Sequence, residues 1–263
     1  MEFLKQSTSK GNQPKFIDCK GGWFYKVDSM GYESISEALV SEFLSFVEGV
    51  DYIDYHLELY NDNGKQLECC KSKVYNINGE NFVSLWKILK VYGDKKELNN
   101  LKGKELVDYI VDCVKGGTGV DIRDYLGLLM YIDSIILNED RHLNNINLIE
   151  KDGEYRVAPI YDNGLSLLSD VKDYRYGVGL SVLMRKVKSY PFNSDFNKQA
   201  KYFDREPLII DIDGFKKKLE LVDSNLDAYV PFKQEGYKRA KEVLLKRLNQ
   251  TEGTLWIRKE MKG

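Results

Sequence analysis

The most hydrophobic stretch of the chain, RDYLGLLMYIDSIIL at residues 123–137, runs directly into the polar segment NEDRHLNN at residues 138–145. An apolar run of that length at helical period is expected to be a buried helix, so the chain is carried out of a core straight to Asp140. Asn145 follows five residues later. The next segment, INLIEKDGEYRVAPIYD, reads as a hairpin turning at Asp152-Gly153, with Asp162 at its far end and Asn163-Gly164 beyond. Helix, loop and hairpin therefore present an aspartate, an asparagine and a second aspartate in fixed order.

Those three residue types suit phosphoryl transfer. One carboxylate orients and deprotonates an attacking hydroxyl, while a carboxamide and another carboxylate hold Mg²⁺ on nucleotide phosphates. Asp140 is the candidate catalytic base, and Asn145 and Asp162 are candidate metal ligands, with Asn144 an adjacent competitor. Each residue taken alone reads equally as a turn residue, the common fate of Asn and Asp in loops. Arg141 and His142 are expected to brace the loop rather than to react.

Upstream, residues 14–28 read as two short strands around Gly21-Gly22, residues 33–47 as a helix, and YHLELYNDNGKQLECCKSKVY as a hairpin turning at Asn63-Gly64. From residue 81 onward the pattern is mostly helical. Lys26, in the strand WFYKV, is placed to meet a nucleotide phosphate, and such a lysine needs an acidic partner on the following helix. At about 100° per residue, Ile35, Leu39, Phe43 and Phe46 share one face with Glu42, whereas Glu37 falls opposite, toward solvent. A carboxylate in an apolar stripe is costly unless paired, which selects Glu42 as the partner of Lys26. The segment from Ser7 to Lys15 would cradle phosphates with backbone N–H groups, Gly11 allowing close approach; a plain N-terminal turn fits it as well. Gly116-Gly117-Thr118-Gly119 lacks a preceding strand and a following Gly-Lys-Ser/Thr, and reads as a flexible turn between helices.

The order Asp140-Arg141-His142-x-x-Asn145, followed by Ala158-Pro159-x-Tyr161-Asp162, resembles the HipA-like kinases of bacterial toxin–antitoxin systems, and within them the short Helicobacter proinflammatory kinase branch. Phosphatidylinositol kinases share the Asp-Arg-His-x-x-Asn core. Thr8-Ser9-Lys10-Gly11-Asn12-Gln13-Pro14-Lys15 resembles the Ser-x-x-Gly-x-Gln-Pro-Lys nucleotide loop of the same family, with Thr8 in the serine's place. The resemblance implies an α+β, two-lobed protein-kinase-like fold, a β-rich N-lobe at residues 1–72 and a larger helical C-lobe at 73–263. It also implies ATP and Mg²⁺ as cofactors, selects Asn145 over Asn144, and assigns Ser9, Gly11, Gln13, Lys15 and Lys26 to the nucleotide. Glu68 to Lys71, and among them Glu68 and Cys70, would occupy the hinge that meets adenine. Ser41-Glu42-Phe43 is similar to the matching helix of the short branch. Hydroxyls of the loop, at Ser7, Thr8 and Ser9, would be autophosphorylation targets.

The expected activity is transfer of the γ-phosphate to a Ser/Thr hydroxyl of a protein. The alternatives are a lipid or small-molecule kinase and a nucleotide-binding pseudokinase that serves as a partner-binding module. A protein substrate and an antitoxin or regulatory protein are the expected partners. With a formal charge of −2, nothing calls for direct nucleic-acid binding. No apolar run reaches membrane-spanning length, no signal core opens the chain, and the four cysteines lack metal-ligand spacing. A cytoplasmic location follows, with delivery to another cell left open by the sequence.

Overall fold

The computed structural model describes residues 2–4, 13–18, 21–74, 79–251 and 257–259. The first sheet comprises β1 (Glu2–Leu4), β2 (Lys15–Asp18) and β3 (Trp23–Val27), then, after helix α1 (Glu33–Leu44), β4 (His56–Asp62) and β5 (Lys65–Lys73). Its spatial order is β1-β2-β3-β5-β4, antiparallel throughout. Turn chemistry sets the hairpins. Gly22 has φ +66° and donates its N–H to the Asp18 carbonyl at 2.9 Å, and Asn63 and Gly64 both have positive φ, as a two-residue hairpin turn demands. Phe16 stacks on Tyr25 at 4.6 Å, and Tyr60 meets both rings edge-on, a small aromatic core on one face of the sheet.

Helix α1 is fixed at its start by two carboxylates. Asp28 Oδ1 accepts the Ser34 N–H, and the Glu33 carboxylate accepts the N–H groups of Ser29, Met30 and Gly31, so donors that the turn and helix start leave open are satisfied. The helix is buried on two sides. Ile35, Leu39, Phe43 and Leu44 join the main core, while Ser34, Glu37 and Ser41 are also buried.

The rest is mainly helical: β6 (Asn81–Ser84), α2 (Leu85–Tyr92), α3 (Lys95–Asn100), α4 (Gly103–Thr118), α5 (Arg123–Ile136), β7 (Asn147–Lys151), β8 (Glu154–Val157), α6 (Leu180–Met184), α7 (Phe196–Ala200), β9 (Leu208–Ile210), α8 (Ile212–Ser224), α9 (Leu226–Tyr229), α10 (Gln234–Thr251) and β10 (Ile257–Lys259). Strands β6, β7 and β8 form an antiparallel sheet, and β9 pairs with β10 in parallel. Helix α5 is buried along nearly its whole length and ends at Leu137, which adopts φ +54° as its left-handed cap. The hairpin β7–β8 turns at Asp152-Gly153, both at positive φ. The mixed α/β architecture is therefore as expected in its class and in most of its elements.

Two expectations need correction. Residues 81–84 form a strand rather than the start of a helix, because they pair with β7; Ser84 then caps α2 by accepting the Lys87 N–H. Gly116, Gly117 and Thr118 are not a flexible turn but the last residues of α4, with Gly119 as its left-handed cap. A Cβ at Gly117 would lie 2.4 Å from the Tyr92 ring, so this glycine permits α2 and α4 to pack closely.

Candidate active site

Lys26 lies in the middle of the first sheet, opposite Lys15 on β2 and Cys70 on β5, and is only 2% exposed. A buried ammonium requires anionic partners, and it has two. Its Nζ donates to Glu37 Oε1 at 2.5 Å and to Asp162 Oδ1 at 2.6 Å. Glu37 Oε2 in turn accepts the Asn163 N–H at 2.8 Å. Strand β3, helix α1 and the segment after β8 thus converge on one ion cluster. Burial works against the charge on Lys26, but Asp162 and Glu37 outweigh it and hold its pKa well above the usual lysine value. Burial likewise opposes ionisation of Asp162, yet Lys26 and Lys15 keep its carboxyl well below the usual range. Both groups are therefore charged at neutral pH.

The expected pairing of Lys26 with Glu42 is overturned. Glu42 is about one third exposed and pairs with Lys218 on α8 at 3.3 Å. The reason is geometric. The apolar stripe of α1 faces the helical core, where Phe43 and Phe46 meet Phe215, and the sheet packs on the opposite face, which carries Ser34, Glu37 and Ser41 at helical spacing. Ser34 Oγ donates to the Lys26 carbonyl, and Ser41 Oγ to the Tyr55 carbonyl. A face that reads as solvent-directed is in fact turned to the sheet.

Arg141 anchors the second half of the site. Its side chain is 1% exposed, and all five N–H donors are used: on both carboxylate oxygens of Asp133, on the carbonyls of Tyr161 and Asn145, and on Asn163 Oδ1 at 2.6 Å. Helix α5, the loop after it and the Asp162-Asn163 segment are thereby held together, the bracing role expected of this arginine. Asp133 and Asn163 were missed by the sequence reading. A lone carboxylate within the most apolar helix, with a cation eight residues on, was the available signal for Asp133.

Asp140 receives the Asn145 side-chain amide on Oδ2 at 3.2 Å and on its carbonyl at 2.9 Å, and His142 lies 3.6 Å from Oδ1. Burial, only partly countered by His142, raises the Asp140 pKa, which strengthens it as a base. Because Asn145 donates through Nδ2, its Oδ1 is left as an oxygen donor; Asp162 Oδ2 is likewise without a partner among the described residues. Asn144 is exposed.

Gln13, Lys15, Asp140, His142, Asn145 and Asp162 line a single pocket. Gln13 Nε2 is buried there with no hydrogen-bond partner among the described residues, a donor beside Lys15 suited to a phosphate oxygen. Among the described residues no three His, Cys, Asp or Glu side chains cluster to hold a metal ion unaided. Two oxygen donors, Asn145 and Asp162, match Mg²⁺, which completes its shell with water and phosphate oxygens. Ser7, Thr8, Ser9 and Gly11 lie outside the described residues.

Glu68 and Cys70 do not form a hinge. Both lie inside β5, whose backbone pairs with β3 on one side and β4 on the other. Cys70 packs with Ile53 and Tyr55, and Glu68 pairs with Lys233 at 2.8 Å. Backbone groups already committed to two ladders are not free to meet a base.

No family model matches this chain, and no curated protein matches it. Among solved structures, the fold is similar to that of the Helicobacter pylori proinflammatory kinase CtkA, at 14% identity and a TM-score of 0.61, covering 94% of this chain and 92% of that one. It is also similar to HipA of Shewanella oneidensis MR-1, solved with HipB and operator DNA as a toxin–antitoxin system, at 11% identity and a TM-score of 0.51, covering 96% of this chain and 66% of that one. At the level of fold, the chain matches the HipA-like kinases, and the resemblance read from its motifs agrees.

Proposed function

We propose that the chain is an ATP- and Mg²⁺-dependent kinase that transfers the γ-phosphate to a Ser/Thr hydroxyl of a protein. One observation carries this reading: the buried Lys26–Glu37 pair holds Asp162, which lines a single pocket together with Asp140 and Asn145. In this reading residues 1–72 form a nucleotide-covering lobe and residues 73–263 the lobe that holds the catalytic loop.

Lys26 and Lys15 would neutralise phosphate charge, and Gln13 would donate to a phosphate oxygen. Asn145 and Asp162 would hold Mg²⁺, which would supply positive charge to offset the negative charge developing during transfer. Asp140 accepts the proton of the attacking hydroxyl. That oxygen bonds to the γ-phosphorus, the bond from phosphorus to the β,γ-bridging oxygen breaks, and ADP leaves with the electron pair. Arg141 keeps Asp140 and Asp162 in register through Asn145, Tyr161 and Asn163. The loop hydroxyls Ser7, Thr8 and Ser9 are proposed as autophosphorylation targets, since phosphate there would repel the nucleotide. The complex of the HipA neighbour with HipB supports proposing an antitoxin or regulatory partner here. None of the helices among the described residues is long and apolar enough to cross a membrane.

The test is a radiolabelled γ-phosphate transfer assay on the protein itself and on a generic protein acceptor. Label with the wild type, reduced by roughly 10²–10⁴-fold in Asp140→Ala with nucleotide affinity retained, is the expected result. Equal labelling by both proteins would refute the role of Asp140.

A further inference from the structure

A second cavity opens on the other side of Asp140. It shares Met30, Asp140 and Leu165 with the nucleotide-side pocket and is otherwise lined by a different set, including Glu139, Asp170, Lys186 and Lys188. A cavity that reaches the candidate base without reaching Lys15, Asn145 or Asp162 is where an acceptor hydroxyl would enter.

The charges lining it are not equivalent. Two of its carboxylates are already engaged. Glu139 accepts the Tyr174 hydroxyl at 2.5 Å, and Asp170 Oδ1 accepts the Lys172 and Asp173 N–H groups. Asp170 is further fixed by its bridge to Gly31, where a Cβ would lie 2.0 Å from the Ser169 carbonyl. Burial and the neighbouring acids raise Glu139 to about 7, so its negative charge is partial at neutral pH. Asp173 is exposed at the edge of the cavity. By contrast, Lys186 and Lys188 have no ion-pair partner among the described residues.

These lysines stand on a pinned segment. Val187 between them is buried, whereas Lys186 and Lys188 are both exposed. Ser189 is buried and donates its N–H to the Ser194 carbonyl and its Oγ to the Asn193 carbonyl; Gln199 Nε2 donates to the Tyr190 carbonyl at 2.8 Å. Lys186 and Lys188 are the cations of a cavity whose other charged lining residues are carboxylates, and neither is ion-paired among the described residues, so their ammonium groups are available to an acidic group entering beside Asp140.

We propose that Lys186 and Lys188 form an acceptor-side subsite that selects a polypeptide hydroxyl flanked by acidic residues. This rests on the kinase reading and adds the substrate class to it. The subsite lies beyond Asp140 from the nucleotide, so it acts on the acceptor and not on ATP.

The experiment is positional scanning with peptides carrying one central Ser or Thr, each flanking position occupied in turn by Glu, Gln or Lys. The wild type, Lys186→Glu/Lys188→Glu and Lys186→Arg/Lys188→Arg are compared at low and high salt. The wild type is expected to favour Glu over Gln at one or two positions by roughly fivefold in kcat/KM, with the preference shrinking at high salt. The arginine variant should keep it and the glutamate variant reverse it toward Lys. Nucleotide affinity, measured in parallel, reports that each variant is folded. Phosphotransfer without an acidic preference, or with a preference that survives charge reversal, overturns the subsite and leaves the kinase reading intact. Absence of any Asp140-dependent phosphotransfer, to peptides or to the protein itself, overturns both.

Discussion

Two buried ion clusters hold the candidate site, and they differ in what they leave open. Around Arg141 every donor is spent: Asp133, Asn163 and two carbonyls take all five N–H groups, and the guanidinium is 1% exposed. Around Lys26 the cluster is equally buried on the lysine side, but Asp162 is 22% exposed and, among the described residues, keeps one carboxylate oxygen unpaired. The first cluster is closed and can only hold elements together. The second is open toward a pocket and has chemistry to spare. Burial of charge alone does not mark a functional group; an unspent lone pair beside a cavity does.

That contrast can be broken experimentally, beginning with the closed cluster. Arg141→Met leaves Asp133 as an uncompensated buried carboxylate and is expected to cost about 3–5 kcal/mol of stability, measured by urea unfolding. The double variant Arg141→Met/Asp133→Leu should recover much of that loss. A cost below about 1 kcal/mol for the single variant would mean that the arginine is no brace.

The open cluster should respond in binding before it responds in stability. Asp162→Ala removes a metal-side oxygen while Lys26 keeps Glu37, so Mg²⁺-nucleotide affinity should fall roughly tenfold or more, about 1.4 kcal/mol, by titration calorimetry. Unchanged affinity would remove Asp162 from the nucleotide site. Within α1 the comparison sharpens further. Glu37→Gln should lower kcat/KM clearly, by roughly tenfold, whereas Glu42→Gln, which disturbs only a surface pair with Lys218, should stay within about 0.5 kcal/mol in stability and leave kcat unchanged. The reverse ranking would restore Glu42 as the partner of Lys26.

The smallest effect concerns pH. Glu139 titrates near 7 in the folded protein against an ordinary value of 4.5, because burial and nearby acids disfavour its ionised form. The folded state therefore binds the extra proton between those values, and this group's contribution to stability is present below pH 4.5 and is lost as pH rises toward 7. Stability curves of the wild type and Glu139→Gln should differ by a shallow slope over that window; parallel curves would show that Glu139 is not so perturbed.

How much of this was legible beforehand depends on the range of the interaction. The turns at Gly21-Gly22, Asn63-Gly64 and Asp152-Gly153, the buried helix at 123–136 and the order Lys26, Asp140, Asn145, Asp162 all follow from local residue chemistry. The strand at 81–84 was not legible, because four residues next to a helix become a strand only when β7 is there to pair with them. Glu68 and Cys70 were misread for a related reason: a strand with both neighbours in place has no free backbone, and the sequence does not say how many neighbours it has.

Glu37 is the clearest case. Helical periodicity correctly groups Ile35, Leu39, Phe43 and Phe46, and it correctly puts Glu37 on the other face. It does not reveal that a second layer covers that face. By itself the sequence determined the turns, the periods and the residue types able to transfer a phosphate. Only the tertiary structure decided which carboxylate meets Lys26, because a helix buried on both sides takes its partners from β3 and from a segment more than a hundred residues away, and no local pattern encodes which face each will cover.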